Sequence, residues 1–125
     1  MKFVKYHLPA VIYACLIIVL SSIPDLGEKQ TFILGYDKIV HFVEYALFAI
    51  LIYRSFSNFT PRTSFTFAIV LSLLFIVLFS IFDEYYQSHI PGRDSDPYDA
   101  LFDILGAALI VILLAVRRKY SRQSQ

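Results

Sequence analysis

The chain has 125 residues, 58% of them hydrophobic and only 17% charged, with a net charge of +1 and a mean hydropathy of +0.63. Soluble domains carry about 25% charged residues, so this composition excludes a disordered chain, a fibrous rod and a basic nucleic-acid module, and no nucleic acid is expected as a partner. So short a chain cannot hide that much apolar surface in one core, which leaves a small polytopic membrane protein. Its single cysteine, Cys15, rules out an internal disulfide or a Cys-based zinc site.

Four apolar stretches predict helices over residues 7–23, 36–53, 64–87 and 97–117. A span needs roughly 20 residues, and each stretch reaches that length with its flanks. The apolar runs are continuous rather than alternating, which excludes a barrel and leaves helices that satisfy their own backbone. The expected fold is an all-α, four-helix transmembrane bundle forming one domain over 1–125. In the first stretch, Lys2 and Lys5 precede an apolar run, as in a secretion signal, but Ser21-Ser22-Ile23 is a poor cleavage site, so the helix is expected to be retained. The connections at 24–35, 54–63 and 89–97 are rich in turn formers, and Asp96 before Pro97 reads as a helix start.

Charge sets the expected orientation. With the N-terminus inside, the inner segments hold Lys2, Lys5, Arg54, Arg62, Arg117, Arg118, Lys119 and Arg122, and the outer ones hold Lys29, Lys38 and Arg93. Eight against three follows the positive-inside rule and puts both termini in the cytoplasm. All ten acidic residues (Asp25, Glu28, Asp37, Glu44, Asp83, Glu84, Asp94, Asp96, Asp99, Asp103) fall in the outer half.

The ionisable groups gather at one depth. Asp37, His41 and Tyr45 are spaced four apart on one helical face, Lys38 lies three before His41, and Glu44 is one turn below. Asp83, Glu84 and Gln87 share the end of the third helix. Asp96, Asp99 and Asp103 share an edge of the fourth, which Gly106, with Ala107 or Ala108, continues as a close-packing surface. Arg93, in the loop between them, is the expected counter-ion for these carboxylates and a bidentate grip for an anion. Ionisable residues inside a membrane default to function, although a polar network that keeps the helices in register is the plainer explanation, and capping alone accounts for Asp96. For a binding site the candidates are Asp37, Lys38, His41, Tyr45, Asp83, Glu84, Gln87, Arg93, Asp96 and Asp99. For catalysis they are His41, Asp83 and Glu84, with His41 as a proton shuttle. His41-x-x-Glu44 with Asp83, Glu84 and His89 offers metal-ligand types, but there is no dedicated ligand loop, and neither a metal nor another cofactor is expected. No nucleophile elbow or P-loop is present. One four-helix protomer without an inverted repeat is small for a transporter.

Asp37-Lys38-x-x-His41-Phe42-x-x-Tyr45, then Asp83-Glu84-x-x-Gln87, then Pro91-Gly92-Arg93 with Asp96 and Asp99, together resemble the VanZ-like membrane proteins. Leu20-Ser21-Ser22 also fits that pattern. The chain departs from it at Asp103, where the family usually has Asn, and at Ala49, where it often has Gly. The resemblance implies a VanZ-like domain in the bacterial plasma (inner) membrane. It also implies a link to the low-level teicoplanin resistance associated with the founding member. Besides membrane lipids, the partners it suggests are a cell-wall precursor or a glycopeptide. Two functions follow: an envelope protein that binds such a ligand at an outward polar site, or a small membrane enzyme acting on a lipid or precursor head group.

Overall fold

The structure, a computed structural model, describes residues 1–24, 36–60, 63–93 and 95–123. The loop expected at 24–35 lies almost wholly outside the described residues. So do Asp25, Glu28, Lys29, Arg62 and Asp94 and the side chains of Lys119 and Arg122. Among the described residues five helices follow in order: α1 (Lys2–Tyr6), α2 (Leu8–Ser21), α3 (Tyr36–Ser57), α4 (Phe65–Gln87) and α5 (Pro97–Gln123). Among the described residues there is no strand. Of the described residues, three helices are long and apolar enough to cross a membrane, over Tyr36–Ser57, Phe65–Gln87 and Pro97–Arg118, and Leu8–Ser21 is a shorter apolar helix.

The first expected helix, 7–23, corresponds to α2, and a separate short helix, α1, precedes it. His7, at φ −100°, separates α1 from α2, and Pro9 stands in the first turn of α2. Proline has no N–H to donate to the Lys5 carbonyl, so the hydrogen-bond ladder is interrupted there. The 14 residues of α2 rise about 21 Å, short of the ~30 Å hydrocarbon core. The other helices begin where their caps dictate. The Phe67 N–H donates to Ser64 Oγ (3.1 Å) before α4, and the Tyr98 N–H donates to Asp96 Oδ1 (2.9 Å) before α5, which opens on Pro97. Gly92, at φ 74°, takes the left-handed turn between α4 and α5 that a side chain would resist.

The outside of the molecule is largely apolar, and part of the inside is polar. Leu47, Ile50, Leu74, Leu78, Leu105 and Ile112 are exposed, whereas Ser72, Ser80, Asp83, Glu84, Asp99 and Asp103 are buried. That distribution suits a lipid surrounding, where apolar residues gain nothing by turning inward. The interior is filled by Tyr45 and Phe48 of α3 and Phe79 of α4, with Phe48 and Phe79 ring centres 5.1 Å apart. Between α3 and α5 the main chains touch. A Cβ on Gly106 would collide with the Phe42 carbonyl oxygen and lie 3.2 Å from the Ala46 nitrogen, and Ala107 beside it is buried. The small-residue edge expected on the last helix is the surface that allows this approach.

Candidate functional site

The ends of α2 and α4 meet the starts of α3 and α5, and the ionisable residues of α3, α4 and α5 converge there. Lys38 is the hub of one half of the cluster. Its Nζ donates to Asp96 Oδ2 (2.7 Å) and Asp99 Oδ1 (3.0 Å) on the α5 side and to Asp37 Oδ2 (3.3 Å). The ammonium of Lys38, followed by the Tyr98 N–H, holds the Asp96 carboxyl below the ordinary carboxylate range. Glu84, from α4, ties into the same group. Its Oε2 accepts the Asp96 backbone N–H (3.0 Å) and the Ser95 hydroxyl (3.3 Å), so α4 helps to cap α5.

One turn deeper, His41 Nδ1–H donates to Asp103 Oδ1 (3.0 Å), and Ser80 Oγ donates to Asp103 Oδ2 (2.6 Å). Asp103 is completely buried. The far ring nitrogen of His41, Nε2, stands 3.9 Å from Asp99 Oδ2, beyond hydrogen-bonding reach. A second, smaller group lies alongside. Tyr45 Oη (3.4 Å) and Gln87 Nε2 (3.2 Å) both donate to Asp83 Oδ2, and Gln87 also reaches Ser21 Oγ on α2 (3.3 Å). Asp83 Oδ1 and Glu84 Oε1 are buried and, among the described residues, have no hydrogen-bond partner.

The structure therefore brings together Asp37, Lys38, His41, Glu84, Asp96 and Asp99, with Tyr45, Asp83 and Gln87 as a neighbouring set. Arg93 is placed differently from the expectation. Among the described residues it makes no ion pair. Its Nη2 donates to the Leu20 carbonyl at the end of α2 (2.8 Å), its Nε is buried without a partner, and Lys38 serves the carboxylates instead. The residues that offer a cation its ligands also differ from those expected. His89, just past the end of α4, turns away, to Ser88 and to the Tyr85 carbonyl of α4. A nitrogen of His41 and carboxylate oxygens of Glu84 and Asp99 lie within 4.8 Å of one another. Two members absent from the candidate set are Asp103 and Ser80. Ser80 had a signal: Ala68, Ser72, Ile76, Ser80 and Glu84 are spaced four apart and all face inward.

Compared with known proteins, residues 3–118 match the family described as VanZ/LLP1. No curated protein and no solved structure matches the chain.

Proposed function

The chain belongs to the VanZ/LLP1 family, and from that premise we propose that it is a multi-pass protein of the bacterial plasma membrane that binds the head group of an envelope lipid or cell-wall precursor. Its single transmembrane domain covers residues 1–125, both termini are cytoplasmic, and the acidic end of the bundle faces outward. One observation carries the reading. Three helices deliver Lys38, His41, Glu84 and Asp99 to one level, where Glu84 and Asp83 each keep a buried carboxylate oxygen that no described group satisfies. Unsatisfied buried acceptors are costly, and a head group rich in hydroxyl and amide donors would satisfy them. Arg93, whose buried Nε has no partner among the described residues, would supply a cationic contact for a phosphate. Occupancy of such a precursor would alter what teicoplanin meets at the cell surface.

The test is native mass spectrometry of the protein purified with its membrane lipids. The wild type should retain a precursor or phospholipid that Glu84→Gln and Arg93→Ala lose, and expression of the wild type, but not of these variants, should shift teicoplanin susceptibility. Retention by both variants would overturn the site assignment. Outward exposure is checked by placing single cysteines at Ser95 and Ser57 in a Cys15→Ser background. Only the Ser95 position should react with an impermeant maleimide on intact cells.

The His41–Asp103 pair favours a second reading, a small membrane enzyme acting on the same head group. A carboxylate that orients an imidazole through Nδ1 leaves Nε2 to carry a proton to or from a substrate. Under that reading His41→Gln abolishes turnover of the retained lipid without releasing it.

A further inference from the structure

We infer that His41, Glu84 and Asp99 form a binding site for a divalent transition-metal cation of the manganese or zinc type. The inference goes beyond the head-group reading and does not rest on it.

Three observations carry it. The first is the donor set. One imidazole nitrogen and two carboxylate oxygens, from three different helices, lie within 4.8 Å of one another. A nitrogen beside two oxygens suits Mn(II) or Zn(II) better than the all-oxygen preference of magnesium or calcium. The second is the orientation of the ligands. Asp103 holds His41 by Nδ1, and Ser80 holds Asp103, so Nε2 is turned toward Asp99. This carboxylate–histidine arrangement is the outer support that metal-binding histidines use to fix tautomer and ring plane. Asp99 is divided in the complementary way. Its Oδ1 is taken by Lys38, while Oδ2 faces Nε2 across 3.9 Å. That gap is too wide for a hydrogen bond and leaves the two atoms unpaired with each other. The third is Glu84, which is 6% exposed. It reaches into the group with a carboxylate oxygen and retains one buried oxygen, Oε1, that no described donor satisfies.

Charge balance points the same way. Asp83, Glu84, Asp99 and Asp103 are all buried, and among the described residues the only lysine in contact with the group is shared among three aspartates. Buried carboxylates without compensating charge are strongly unfavourable, and a divalent ion supplies two positive charges at the point where they crowd. Three protein ligands also leave a coordination position open for water or an oxygen of a head group.

The probe is Mn(II) added to the purified full-length chain in lipid nanodiscs, followed by electron paramagnetic resonance with nitrogen-modulation detection. Stoichiometric binding with modulation from one imidazole is expected. The chain has three histidines, and His7→Gln and His89→Gln should leave both affinity and modulation unchanged. His41→Gln should remove the modulation. Asp103→Asn should weaken affinity by roughly 10-fold or more, as the loss of an outer-shell carboxylate does. Should His41→Gln fail to fold, the other two variants still assign the nitrogen by elimination. No Mn(II) binding, no imidazole modulation in the loaded wild type, or modulation that disappears with His89→Gln or His7→Gln would overturn the site. Because no lipid is scored, a negative result leaves the head-group reading standing, and loss of lipid retention leaves the cation site standing.

Discussion

The two ends of the bundle handle charge in opposite ways. At the basic end, charged groups lie on aromatic faces. Arg118 sits 4.1 Å from the Phe65 ring centre, and Lys5 and Arg54 flank Tyr6 at 5.1 and 5.5 Å. The main polar tie there is His7 Nδ1 to Ser55 Oγ at 2.7 Å. At the acidic end, carboxylates are buried among α3, α4 and α5 and bonded to Lys38, His41, Ser80 and Gln87. A cation at a membrane surface keeps its water and meets lipid phosphates, so it needs no fixed partner. A carboxylate inside a bundle has neither and must be matched by protein or ligand. The basic end is therefore tolerant and the acidic end exacting.

Substitutions should expose that asymmetry. The largest effect is expected from Asp103→Ala, which strands the His41 N–H and the Ser80 hydroxyl in a buried space. Removing one member of such a pair is expected to cost about 3–5 kcal/mol, to be read from unfolding in mixed micelles. Gly106→Ala should follow, at about 1–3 kcal/mol, because its new methyl meets the backbone of Phe42 rather than a movable side chain. Acidification should act next, through Asp96. Its folded pKa is depressed by Lys38, so its contribution is present above the unfolded value, about 3.9, and is lost as pH falls through the lower folded value. Lys38→Gln should flatten that part of a stability–pH profile. Arg118→Ala should be the mildest, at about 0.5–1 kcal/mol, the worth of an exposed cation–π contact. If Arg118→Ala proved as damaging as Asp103→Ala, the contrast between the ends would be wrong.

Much of this was legible in the residues, for identifiable reasons. Apolar run length located α3, α4 and α5, and α2 as well although it is shorter than the expected span, and Asp96 before Pro97 marked the start of α5. Four-residue spacing placed Asp37, His41 and Tyr45 on one face of α3. Other features depended on contacts that no local pattern encodes. The partner of Arg93 is a backbone carbonyl 73 positions away, and any residue could have offered it. The central place of Asp103 follows from how α5 is rotated against α3 and α4, a register that periodicity within one helix does not specify. His89 has the chemistry of a ligand, yet its ring packs 4.7 Å from that of Tyr85 and bonds to the end of α4. Pro9, in the first turn of α2, marks the break between α1 and α2.

The contact of Gly106 with the Phe42 carbonyl lies next to His41 in one helix and three residues beyond Asp103 in the other. Main chain against main chain acts as a gauge block: the separation at that level is set by atoms every residue possesses. The lipid-facing leucines and isoleucines can therefore drift to other apolar residues over many generations without moving His41 relative to Asp103. A homologue with an unfamiliar exterior, a glycine retained at this point and an aspartate at the Asp103 position should still present the same imidazole–carboxylate geometry.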